Sequence, residues 1–210
     1  MKREDSKPYN PLDKRNLGGS VAEALLETVA YNLPPEPFVG AGVYALYYTG
    51  ALPAYSELSK ANKDGLLRCP VYIGKAVPAG ARKGGTDFEI EKSKALYNRL
   101  REHTDSIKAA QNLNISDFFC RFLVVDDIWI PLAEAMLIER FKPIWNCVLD
   151  GFGNHDPGKG RHLGTIPQWD CMHPGRVWAE RLQECPIKKE QLENRIIEYL
   201  HEFFSRNDKD

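Results

Sequence analysis

The sequence predicts an α/β (α+β) fold: a small, mostly antiparallel three-stranded sheet flanked by helices. Three short aromatic or β-branched runs have the length of strands, and apolar residues recur at three- and four-residue spacing between and after them. Composition agrees: 43% hydrophobic and 27% charged residues over 210 positions are close to the globular average, and the chain is long enough to bury a full core.

Residues 1–19 read as a charged, proline-containing arm ending at Gly18-Gly19. Ser20, with Glu23 three residues on, has the capping-box pattern, so a helix is expected from Val21 to Asn32, stopped by Pro34-Pro35-Glu36-Pro37. The run 40–48 is a strand. A polar insert of short helix and loop follows over 51–69, then a second strand from Pro70 to Lys75, with its proline at the first strand position. Residues 77–92 form a loop containing Gly, Lys and Arg. A helix is expected from Ser93 to about Ala110, with Leu96 and Leu100 inward. Phe118 to Val125 is apolar nearly throughout, which places it at the sheet centre. Pro131 opens a short helix that Lys142-Pro143 closes after Phe141. Residues 150–177 show little periodicity, and Glu190 to about Ser205 is amphipathic. The expected organisation is one domain over 1–210: a core at about 40–150, an N-terminal arm and helix over 1–37, and a C-terminal loop and helix over 151–210.

No apolar run approaches the roughly 20 residues of a membrane span, and the charged start lacks the apolar core of a secretion signal. The five cysteines, Cys69, Cys120, Cys147, Cys171 and Cys185, show no zinc-ligand spacing, so reduced thiols in a cytoplasm are expected. A net charge of −1 does not mark a nucleic-acid binder. Local basic surfaces remain possible, because residues 75–110 hold eight Lys/Arg against five Asp/Glu, and 140–181 hold six against four.

Several side chains suit chemistry as well as packing. Tyr44 shares a strand face with Leu46 and Tyr48, and Tyr72 sits between Val71 and Ile73; both are also plausible core tyrosines. Pairing the two strands can bring the phenols together, but a phenol titrates at about 10 and needs a nearby cation to act as a base near neutrality. Arg99 and His103 are four apart on one helix face, which is either a solvated face or a guanidinium and an imidazole presented together. Glu134 heads a stripe completed by Leu137, Ile138 and Phe141, where an unpaired carboxylate is costly, although a first-turn glutamate is also favoured by the helix dipole. Glu139, beside Arg140, reads as a surface charge. Asn146 fits a helix-exit turn. Arg82 and Lys83, and Lys159 and Arg161, lie in glycine-containing stretches that are either surface loops or contacts to DNA backbone and bases.

Gly42-Val43-Tyr44, Tyr72-Ile73-Gly74, the Arg99/His103 helix, Glu134 and Asn146, in that order, resemble the GIY-YIG nuclease superfamily over about residues 40–150. The first tripeptide has Val in place of Ile. The Arg-x-x-x-His spacing, the insert between the tripeptides and the Gly-Phe-Gly-Asn-His-Asp-Pro-Gly stretch from Gly151 resemble its type II restriction endonucleases, among them relatives that cut the palindrome CCGCGG. The resemblance implies a bacterial cytoplasmic enzyme that acts on double-stranded DNA. It assigns Tyr44 as general base, Tyr72 as its phosphate- or water-holding neighbour, and Arg99 and His103 as transition-state and proton-handling groups. Glu134 becomes the ligand of Mg²⁺ or another divalent ion such as Mn²⁺, and Asn146 an orienting residue. It also implies a homodimer and a partner methyltransferase in the same cell. A repair or homing-type nuclease, or a non-catalytic nucleic-acid-binding module, is the alternative.

Overall fold

The computed structural model describes residues 10, 12–78, 93–158 and 164–207. Its elements are α1 (Lys14–Glu27), β1 (Tyr31–Asn32), β2 (Gly42–Tyr48), α2 (Ser56–Ala61), β3 (Tyr72–Ala76), α3 (Ala95–Ala109), β4 (Phe118–Val124), α4 (Ile130–Phe141), α5 (Ile144–Cys147), α6 (Gln168–Met172) and α7 (Lys189–Asn207). The strands form one sheet in the order β1-β4-β2-β3, and every pairing is antiparallel. The three expected strands are all present. The fourth, β1, is a two-residue edge piece lying where the sequence pattern extended the first helix.

Every residue of β2 is buried, because its two faces belong to different cores. Tyr44, Leu46 and Tyr48 pack with Leu96, Leu100 and Ile107 of α3, with Trp145, and with Leu192, Ile196 and Leu200 of α7. Val43, Ala45 and Tyr47 pack with Ala22 and Leu25 of α1 and with Ile130, Ala133 and Leu137 of α4. β4, apolar but for Arg121, lies inside the sheet between β1 and β2 as its sequence suggests, yet it is only partly buried along much of its length, so β2 is the more enclosed strand. Continuous apolarity did not separate these two cases, since a strand covered on both faces and one covered unevenly can have similar composition.

The first helix also departs from its sequence pattern. It starts at Lys14 and runs through Gly18, Gly19 and Ser20, and Val29 beyond its end is 66% exposed. Gly18 lies against Met136, where a Cβ would stand 3.4 Å from the methionine Cβ. Close packing of α1 on α4 thus overrides the two glycines as breakers. The insert after β2 is closed by Asn62, which is 1% exposed. Its amide donates to the Tyr48 and Cys69 carbonyls at 3.1 and 2.8 Å and accepts from the Cys69 N–H at 2.9 Å. No disulfide joins the five cysteines. Among the described residues no helix is long and apolar enough to cross a membrane.

Gly42 sits at φ +152°, and a Cβ there would lie 2.1 Å from the Leu123 carbonyl oxygen of β4. Gly42→Ala is therefore expected to destabilise the fold by about 3 kcal/mol, from backbone strain plus displacement of a paired strand. Urea unfolding checks this, and a loss below about 1 kcal/mol would show that the strand pair accommodates the methyl group.

Candidate active site

The register of β2 on β3 pairs Tyr44 with Gly74. The Tyr44 ring crosses that glycine so closely that a Cβ at 74 would stand 2.3 Å from the phenol oxygen. Two tyrosines and a glycine thereby interlock: Tyr72 packs beside Tyr44 with ring centroids 6.2 Å apart. The α3 helix, held over this face by buried Leu96 and Leu100, delivers His103 to the same place. The Tyr44 hydroxyl donates to His103 Nε2 at 2.5 Å, and the two side chains are 0% and 1% exposed.

The electrostatics of this pair follow from burial. Burial raises the Tyr44 pKa well above the ordinary phenol value; Tyr72 adds to the rise and the Arg99 charge opposes it. Burial also lowers the His103 pKa well below the usual imidazole value, and the neighbouring Arg99, His155 and Arg176 add to the fall. Both groups are therefore neutral near pH 7, a phenol donor facing an imidazole acceptor. Tyr72, half-buried, is also raised by burial, again opposed by Arg99. The cation the sequence reading asked for is present, but desolvation outweighs it.

Arg99, one helical turn from His103, is aimed by three acceptors. Its Nη1 donates to Glu102 Oε2 at 2.9 Å and to His155 Nε2 at 2.6 Å, and its Nη2 donates to the Gly153 carbonyl at 2.9 Å. His155 also lies 3.8 Å from Glu102. This imidazole was not singled out in the sequence, although it stands within the stretch from Gly151.

Glu134 lies on α4 facing β3. It is one-fifth exposed and pairs with Lys75 Nζ at 2.6 Å, while its charge is near enough to raise the Tyr44 and Tyr72 phenols. Glu139, on the same helix, is exposed. Lys75 follows Tyr72-Ile73-Gly74 directly, and strand alternation puts it on the Ile73 face toward α4; that was the signal available for it. Among the described residues no three or more His, Cys, Asp or Glu gather as a metal cage. A lone, partly open carboxylate instead fits a hydrated hard ion such as Mg²⁺, which takes one protein oxygen and completes its shell with water and phosphate, with Lys75 giving way to it.

Asn146 on α5 does not join the phenols. Its Oδ1 accepts from the Ile73 N–H and its Nδ2 donates to the Ile73 carbonyl, both at 2.8 Å. It thus holds the backbone between Tyr72 and Gly74. The structure brings Tyr44, Tyr72, Arg99 and His103 together with Glu134 beside them, and leaves Asn146 behind the strand. Arg82, Lys83, Lys159 and Arg161 lie outside the described residues.

A second buried tyrosine–histidine pair is separate from this cluster. The Tyr55 hydroxyl donates to His173 Nε2 at 2.6 Å and accepts from Trp145 Nε1 at 2.9 Å, and His173 Nδ1 is 3.0 Å from Asn112 Oδ1. Burial lowers His173 from 6.5 to about 3. A depressed folded-state pKa means that its stabilising effect is complete above about pH 6.5 and is lost as pH falls toward 3. Unfolding free energy is expected to drop by about 1.4 kcal/mol per pH unit from this residue across that window. Urea titrations at pH 7 and pH 5, with His173→Gln as the comparison, measure this; equal slopes in the two proteins would refute it.

Comparison with curated proteins returns no significant match. The family model described as Eco29kI GIY-YIG domain matches residues 36–200, a span that includes both tyrosines, the α3 pair, Glu134, Asn146 and the 151–155 segment. On that match, the chain belongs to the Eco29kI GIY-YIG domain family.

Proposed function

We propose that the protein is a type II restriction endonuclease: one nuclease domain that hydrolyses phosphodiester bonds in both strands of a short GC-rich palindrome in the bacterial cytoplasm. The observation that supports it most is the Tyr44–His103 hydrogen bond set beside Tyr72 and Arg99. The Tyr55–His173 pair lies in the core as well, so the bond alone does not mark a site; what sets Tyr44–His103 apart is the second phenol, the guanidinium and the carboxylate grouped around it.

In this reading Tyr44 passes its hydroxyl proton to His103 Nε2 as it takes one from the attacking water. The phenol then need not ionise beforehand, and the buried imidazolium this forms, which desolvation disfavours, is offset by the negative charge growing on the adjacent phosphate. Arg99 and Tyr72 bind the phosphate oxygens, where negative charge grows in the transition state. Asn146 fixes the strand that carries Tyr72. Glu134 holds the divalent cation, Mg²⁺ or Mn²⁺, which when bound supplies charge neutralisation at the phosphate and the leaving 3′ oxygen. With one site per chain and two strands to cut, a twofold homodimer on a palindrome such as CCGCGG meets the geometric need. A methyltransferase of the same specificity would protect the host DNA.

Incubating the purified protein with unmethylated plasmid, in Mg²⁺ or in EDTA, tests the proposal. Discrete double-strand fragments that appear only with metal are expected, and absence of cutting in any divalent metal would refute it.

A further inference from the structure

The residue that holds the cluster from outside is Arg176, far from the two tripeptides in sequence. It is 4% exposed and ion-paired with Asp170, which is equally buried. Its Nε and Nη2 donate to the two Asp170 carboxylate oxygens at 2.6 and 2.5 Å. Its remaining bonds go to one short segment: Nη2 to the Gly151 carbonyl at 2.9 Å, and Nη1 to the Phe152 and Asn154 carbonyls at 3.0 and 3.2 Å. The guanidinium thus has five acceptors for its five N–H groups, with Trp169 and Trp178 rings 4.6 and 4.7 Å from its centre.

The same segment touches three residues of the candidate site. Gly153, whose carbonyl is the one Arg176 does not take, accepts from Arg99 Nη2 at 2.9 Å. His155 accepts from Arg99 Nη1 at 2.6 Å. Phe152 stacks on the His103 ring, centroids 4.4 Å apart, and meets Tyr72 edge-on at 4.9 Å. Carbonyls 151, 152 and 154 bind the buried arginine, and carbonyl 153 binds the site arginine.

We propose that Arg176, set by Asp170, is a positioning residue of the nuclease site: it fixes segment 151–155, which in turn sets the direction of the Arg99 guanidinium. This rests on the nuclease reading above. Stability alone is a weak reason for the arrangement, because a buried ion pair is often matched by well-packed apolar side chains. A lysine at 176 keeps the charge but has three donors at one point, so it cannot hold three carbonyls and a bidentate carboxylate.

The test compares wild type, Arg176→Lys, Arg99→Lys and the double variant. Arg176→Lys is expected to lower kcat by roughly 10²-fold, the effect of an ångström-scale misplacement, while KM and DNA affinity in Ca²⁺ change little. If Arg176 acts through Arg99, the double variant cuts no more slowly than Arg99→Lys alone. Losses that multiply, or a fall in kcat that only tracks the folded fraction, would overturn the proposal. Should Arg176→Lys not fold, Asp170→Asn takes its place: it keeps the side chain's shape but removes the charge and turns one of the two oxygens that Arg176 binds into a donor. A lowered kcat per folded molecule is expected, and full kcat would overturn the proposal.

Arginine side-chain ¹⁵N–¹H spectra, recorded without DNA or metal, separate this inference from the nuclease reading. In Arg176→Lys or Asp170→Asn the Arg99 guanidinium signals should shift, while those of Arg121, bonded to the Thr28 and Leu67 carbonyls, stay in place. Unmoved Arg99 signals would reject the positioning role even if wild type cuts DNA. A wild type that cuts nothing would reject the nuclease reading even if the signals move.

Discussion

Tyr44→Phe is expected to slow DNA cleavage by about 10²- to 10⁴-fold, the usual range for removing a general acid–base group. DNA affinity measured by gel shift in Ca²⁺ should be preserved, because the phenol is 0% exposed and its ring, which phenylalanine keeps, does the packing. The substitution also strips His103 Nε2 of its 2.5 Å donor within a buried site. A stability loss of about 1–3 kcal/mol should therefore accompany the kinetic loss, and the assay belongs at a temperature where the variant is folded. Cleavage at the wild-type rate would remove Tyr44 from the chemistry, and loss of DNA binding in a folded variant would make it structural.

Glu134→Ala is expected to lower metal-dependent cleavage by about 10³-fold or more, since the sole carboxylate proposed to hold the cation is gone. Unfolding cannot mimic this result. The Lys75–Glu134 pair is 40% and 20% exposed, and pairs with that much solvent access contribute about 0–1 kcal/mol. Thermal unfolding of the variant should thus stay close to wild type, while plasmid cleavage disappears at every Mg²⁺ concentration that supports the wild type. Equal cutting by the variant would sink the assignment of Glu134.

The two predictions rest on residues whose legibility in the sequence differed. Glu134 could be told from Glu139 by helical spacing alone, since only Glu134 heads an apolar stripe; in the structure it faces β3 while Glu139 is exposed. Tyr44 could not be told from an ordinary core tyrosine, because it is one: it is buried among Leu46, Leu96 and Leu100, and only its hydroxyl differs from the core around it. Alternation within β2 and β3 was legible, but the register that lays Tyr44 over Gly74 depends on pairing across some thirty residues. The start of α1 was misread because Gly18 is packed against Met136, a residue more than a hundred positions away. Arg176 gave no signal at all. In sequence it is a loop arginine among prolines and glycines, and its five acceptors come from segments that only the fold brings to it.

Asn146 has a consequence for the outer side of the sheet. The strand β3 is an edge, and an unpaired edge is a template on which another chain can add itself. The Asn146 amide occupies the Ile73 N–H and carbonyl as a neighbouring strand would, and the Trp145 N–H takes the Val71 carbonyl two residues earlier at 3.0 Å. A single turn of helix therefore plays the part of a fifth strand. The edge that carries Tyr72 is closed to intruding backbones without a sheet being built over it.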